Sequence, residues 1–188
     1  MPKYFPVFLV LIFVIPNLGF TQQSPPVADE YMSTDSLLIM NKLPVVTAKD
    51  SLLSLLGSPD STIVRDQGEM CTNYFYSSCP NLYEVSFWDK SKFETCKNQA
   101  VVQVINFKRN PDLFVTYANK ITLSAKTSVS SLKEFYPNSV SELHRIDVYQ
   151  EGSYETFSLP SKKVGAESAW KLFFRNKKLV RMDYWRPC

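Results

Sequence analysis

The chain has 188 residues, with 21 Lys and Arg against 18 Asp and Glu and a formal charge of +3. Its 45% hydrophobic content and five glycines belong to a folded protein and exclude a disordered or collagen-like one. The cations are spread among the acids, densest at Lys162/Lys163 and from Arg175 to Arg181; that pattern reads as a solvated strand face and not as a nucleic-acid stripe.

Residues 1–21, MPKYFPVFLVLIFVIPNLGFT, carry one early cation, Lys3, then an apolar run from Phe5 to Ile15 and an exit of Pro, Gly and small residues. This is the pattern of a signal peptide, too short and too interrupted at Pro16 for the roughly 20 apolar residues of a membrane span. Cleavage is expected at Thr21/Gln22, with Gly19 and Thr21 as the small residues before the bond. No Cys stands there to accept a lipid, so no membrane span or anchor is expected after cleavage. Residues 22–36 are rich in Pro and Ser and read as a flexible tether.

Two stretches then resemble each other. TAKDSLLSLLGSPDS at Thr47–Ser61 aligns with SAKTSVSSLKEFYPNS at Ser124–Ser139, sharing apolar positions, the Pro and a preceding Asn-Lys. In each copy Thr47 or Ser124 is expected to cap a helix, the leucines to bury one face, and Pro59 or Pro137 to end it. Strand-like runs follow. After the first helix come TNYFYS, LYEVSFW and AVVQVINF, with Asp89–Asn98 read as a polar loop. After the second come LHRIDVYQ, YETFSLP, SAWKLFFRN and KLVRMDYW, with Asn176-Lys177 as a two-residue turn. Trp170, Leu172 and Phe174 should point one way, joined by Val180, Met182 and Tyr184. The fold class expected is therefore α+β: two tandem repeats, residues 37–118 and 119–188, each a short helix or helix pair packed on a small antiparallel β-sheet.

Cys71, Cys79, Cys96 and Cys188 form an even set in a chain with an export signal, which favours disulfides over thiols or a metal centre. If 72–78 is a strand, Cys71 and Cys79 stand at its opposite ends and cannot meet. Cys71–Cys96 and Cys79–Cys188 are then the expected bridges, the second locking the two halves together.

The duplicated helix, its Pro-terminated exit and the late hairpin AWKLFFRNKKLVRMDYW resemble the tandem fold of the beta-lactamase inhibitory protein family. Each half also resembles the small lipoprotein of the outer-membrane barrel-assembly machine. The resemblance implies a protein-binding module that uses a sheet surface. Two departures stand out: there is no lipid-acceptor Cys, and the second helix exit lacks the Gly.

Little in the sequence points to catalysis. One His, His144, is the only candidate base for a Ser or Cys nucleophile, and no nucleophile elbow, phosphate loop or zinc motif appears. Carboxylate pairs such as Glu151/Glu155 and Glu142/Asp147 are the material a glycosidase would need. Aromatics are the stronger signal. Neighbours such as Tyr184-Trp185 must face opposite sides of a sheet, so one of each pair is available for recognition. Trp88, Tyr149 and Trp185 are the expected partner-binding residues. The function expected is an exported, non-catalytic binding module, periplasmic or secreted, that recognises a protein partner through an aromatic-bearing sheet surface. The alternatives are a small secreted hydrolase built on paired carboxylates and a structural envelope protein. No cofactor, metal or nucleic acid is expected.

Overall fold

The computed structural model describes residues 30–66, 75, 79 and 82–186; the expected signal peptide and the first part of the expected tether lie outside them. A 3-10 turn at Thr34–Ser36 leads into β1 (Leu37–Ile39), β2 (Leu43–Pro44), β3 (Val46–Ala48) and helix α1 (Lys49–Leu56). Next come β4 (Ser61–Asp66), β5 (Leu82–Trp88), β6 (Ser91–Cys96), β7 (Gln99–Asn106), β8 (Val115–Tyr117) and β9 (Ile121–Leu123). Helices α2 (Val129–Leu132) and α3 (Pro137–Ser141) precede β10 (His144–Val148), β11 (Gly152–Pro160), β12 (Ala169–Arg175) and β13 (Lys178–Trp185).

Two antiparallel sheets result. A nine-stranded sheet runs β10-β11-β12-β13-β7-β6-β5-β4, with β3 also paired to β7, and a four-stranded sheet runs β2-β1-β8-β9. This overturns the expected pair of helix-on-sheet repeats. The helices are only eight, four and five residues long, too little apolar surface to roof two separate sheets. Instead β13 pairs edge to edge with β7, Met182 opposite Ile105, so both meanders belong to one sheet. The roof is largely the small sheet: Leu37, Ile39, Val115 and Leu123 pack into the same core as Trp170, Leu172, Phe174 and Met182. Strands β1, β2, β8 and β9 are two or three residues each, below the length at which alternation is readable.

Several local expectations are corrected, some because tertiary partners replace local ones and others because a neighbouring residue takes the role. Thr47 lies in β3 and does not cap α1; the N-cap is Ala48, and the free helix amides find the Asn98 turn, Lys49 N–H donating to the Asn98 carbonyl at 3.1 Å. Ser128, not Ser124, caps α2, in a capping box with Ser131. Pro137 opens α3 instead of closing a helix, since Pro at the first helical position gives up no needed donor. The expected polar loop from Asp89 to Asn98 is β6 between two tight turns, held by β5 and β7 on its two sides. On β13 the core residue is Leu179 and not Val180, because a bulge opposite Phe173/Phe174 shifts the register. The Val180 carbonyl thereby turns to accept from the amides of Phe107 and Lys108, at 3.0 and 3.3 Å.

The expected disulfides are also overturned. Cys79 is bonded to Cys96, with Cα atoms 6.3 Å apart. The amide of Cys79 donates to the carbonyl of Phe75 at 2.9 Å, a contact that the extended run assumed for the expected pairings would not make. Cys71 and Cys188 lie outside the described residues. The bridge spans 17 residues and restrains the unfolded chain by about 3 kcal/mol in the entropic account. It clips the buried Phe75 over Val101 on the face of the large sheet opposite the main core.

From Glu30 onward the expected tether is fixed to the body. Met32 is fully buried and its amide donates to the Pro160 carbonyl at 2.8 Å, while the Glu30 carboxylate accepts from the amides of Asn138 and Ser139 at 2.8 and 2.7 Å. Burial opposes ionisation of Glu30, but the hydrogen bonds from Ser139 and Asn138 outweigh it and hold the carboxyl below its usual 4.5. A depressed folded value means that the stabilisation is complete above the unfolded pKa and is lost as pH falls through the folded one. Glu30→Ala should lower stability by about 1 kcal/mol at neutral pH. In urea melts at stepped pH, the gap to wild type should close on acidification below the ordinary carboxylate range.

The hairpin turns place non-glycine residues in the left-handed region, at Asp89-Lys90, Ala118-Asn119 and Asn176-Lys177. Such turns suit the strand twist, yet a left-handed Ala costs about 1–2 kcal/mol. Ala118→Gly should raise stability by about 0.5 kcal/mol, the relief being partly offset by the freer unfolded chain. A higher urea midpoint at unchanged slope is the readout.

Candidate binding surface

Strand alternation sends one set of side chains into the core and the other to the opposite face of the large sheet. On β13 the second set is Arg181, Asp183 and Trp185. Register places Arg181 beside Phe173 and Asp183 beside Lys171 on β12, with Trp185 beside Ala169. Each cation in this area lies on a ring: Lys171 Nζ is 4.5 Å from the Trp185 ring centre, Arg175 is 4.4 Å from Tyr154 and Arg181 is 5.2 Å from Phe173. Tyr154 in turn meets Phe173 edge to face at 5.9 Å. Stacked cations of this kind contribute about 0.5–2 kcal/mol each, more where water is excluded.

A charge network holds the ladder. Arg181 forms a two-pronged pair with Asp183, both contacts at 2.6 Å, and a third contact at 3.0 Å to Glu151 from the β10–β11 turn. Glu151 also accepts from the Tyr154 hydroxyl at 2.9 Å, so both of its carboxylate oxygens are engaged. Burial pushes the Asp183 carboxyl above its usual range, and Arg181 holds it back. For Arg181 burial works against the charge, but Asp183 and Glu151 more than reverse it and raise its pKa. Burial, aided by Glu151, raises the Tyr154 phenol.

The three expected partner-binding residues are not brought together. Trp88 is 8% exposed, packs edge to face on Phe93 at 5.1 Å and donates from Nε1 to the Gly57 carbonyl; it is a core residue and is withdrawn from the surface. Tyr149 is 87% exposed at the tip of the β10–β11 turn, whereas Trp185, 43% exposed, lies at the opposite end of the sheet, level with Ala169. Only Trp185 belongs to the ladder. Sequence reasoning missed Arg181, Asp183, Phe173 and Lys171 as a set. The period-two spacing of Arg181, Asp183 and Trp185 was the available signal.

The groups considered for catalysis do not converge. The Glu151 carboxylate is on the ladder face, whereas Glu155, next to Tyr154 along β11, points to the other side and pairs with Lys177. Asp147 accepts from Ser153, which itself accepts from Arg145. His144 turns Nδ1 to the Glu142 carbonyl at 3.0 Å. Among the described residues no group of three or more His, Cys, Asp or Glu could hold a metal ion, and no helix is long and apolar enough to cross a membrane.

Removing Arg181 would strand the partly buried Asp183 and free Glu151. Arg181→Ala should cost about 2 kcal/mol, less than deleting one partner of a fully buried pair, because both side chains keep some exposure. The Arg181→Ala/Asp183→Ala double variant should lose clearly less than the sum of the singles, which denaturant melts of all four proteins will measure.

No family model, curated protein or solved structure matches this chain.

Proposed function

We propose that this protein is an exported, non-catalytic binding module that holds a protein partner against the ladder face of β11–β13. The observation that carries the reading is the half-exposed Trp185, held under Lys171 at the end of a row of aromatic rings already stacked by cations. Trp and Arg dominate recognition hot spots, and side chains fixed before contact lose little freedom on binding. Export rests on the signal-like residues 1–21, and the Cys79–Cys96 bridge suits an oxidising compartment, periplasmic or extracellular.

The test is capture from envelope extract by the purified chain beginning at Gln22, repeated with variants. One stoichiometric partner should be retained by wild type and weakened about tenfold or more by Trp185→Ala. His144→Ala should stay within about twofold, since no nucleophile depends on it. Equal capture by a correctly folded Trp185→Ala protein removes the ladder face from the proposal.

A further inference from the structure

Beside the ladder, three connections of the large sheet enclose a cleft of about 170 Å³. Lys90 comes from the β5–β6 turn, Lys108 and Arg109 from the residues after β7, and Arg175 from the end of β12. Glu151 is the one acidic side chain in the lining, and both of its oxygens are already taken by Arg181 and Tyr154. Asp89, next to Lys90, does not line the cleft and accepts from Asn110. Among the described residues the side chains of Lys90, Lys108 and Arg109 make no ion pair or hydrogen bond.

We infer that this cleft binds a small multivalent oxyanion, a phosphate or phosphate monoester. Four cations gathered from three parts of the chain repel one another, and an anion seated between them removes that cost. Arg175 is already aimed: its Nη2 donates to the Glu151 carbonyl at 2.6 Å and its plane lies on Tyr154. A guanidinium held in this way keeps further N–H donors, and its fork matches phosphate oxygens. Asn106 adds only donors, because its side-chain oxygen is spent on the Arg109 amide at 3.1 Å. The volume also fits. It leaves room for a tetrahedral four-oxygen anion with some solvent, and the cleft is open on one side to whatever carries the group.

Two sources share this chemistry, free phosphate and a phosphate group carried on a larger molecule. Calorimetric titration of the purified chain with inorganic phosphate and with glycerol 1-phosphate, each against chloride at matched ionic strength, separates them. Saturable binding with a Kd of about 1 mM or tighter is expected for at least one probe. Tighter binding of the ester identifies the carried group; tighter binding of inorganic phosphate identifies the free ion. Lys108→Gln/Arg109→Gln alters two exposed side chains, so the fold should persist, and it should weaken binding about tenfold or more. Lys90→Gln supplies a second variant on a separate element. Trp185→Ala lies outside the cleft and should leave phosphate affinity within about twofold, so a failure here is distinct from a failure of the ladder face. Absence of saturation by both probes, or unchanged affinity in the double variant with an unchanged melting temperature, overturns the assignment.

Discussion

The antiparallel pairing of β13 with β7 is short, running Arg181 opposite Asn106, Met182 opposite Ile105 and Asp183 opposite Val104, yet it sets most of the architecture. A break there would leave two meanders, each with an open edge of unpaired backbone groups. With the pairing in place, one core forms beneath the continuous sheet, and Met182 and Ile105 meet at its centre. The bulge at Val180 follows from the same junction. By swinging a carbonyl to Phe107 and Lys108 it anchors the chain that leaves β7, which brings Lys108 and Arg109 to the β10–β11 turn.

The opposite sides of the large sheet are finished differently, and the difference follows from what covers them. The core side has the small sheet and the helices over it, and the row Phe157, Leu172, Met182 is fully apolar. On the other side, the β5–β7 portion has Phe75 clipped down by the Cys79–Cys96 bridge. On β11–β13 the rings are capped by their own neighbours: Arg181 on Phe173, Arg175 on Tyr154, Lys171 on Trp185. Phe173 is thereby removed from water beneath the Arg181 guanidinium.

Long strands with strict alternation were legible in the sequence, β12 above all, where Trp170, Leu172 and Phe174 face the core. The Asn176-Lys177 turn was legible too, since two polar residues between apolar runs leave little choice. What escaped was structure created by distant pairing. β6 reads S-K-F-E-T-C and carries one large apolar residue, Phe93; it is a strand because β5 and β7 supply its hydrogen bonds, and it buries Glu94 beside Gln103. Reading that stretch as a loop also misplaced Cys96 and with it the disulfides. The matching stretches at Thr47 and Ser124 suggested two roofed sheets, because nothing local says that sheet edges will fuse. For the candidate surface, the sequence offered aromatics but not their faces. Trp88 and Trp185 look alike as strand-terminal residues, and what separates core from surface is the diagonal neighbour on the next strand, Phe93 for one and Lys171 for the other.

Ladder and cleft are electrically linked through Glu151. Its carboxylate stands between two groups of cations, Arg181 on the ladder and the Lys108, Arg109 and Arg175 group on the cleft. Because Arg181 and the Tyr154 hydroxyl occupy its two oxygens, Glu151 forms no ion pair with the cleft cations, and one carboxylate cannot balance four cations. Were the Arg181 contact weaker, Glu151 would be free to turn to its other neighbours and close the cleft as an internal ion pair. The bidentate Asp183–Arg181 pair prevents this by fixing the guanidinium, and partial burial keeps the contact from being screened away by salt. A carboxylate whose role is to rigidify one surface thus leaves the adjacent one cationic.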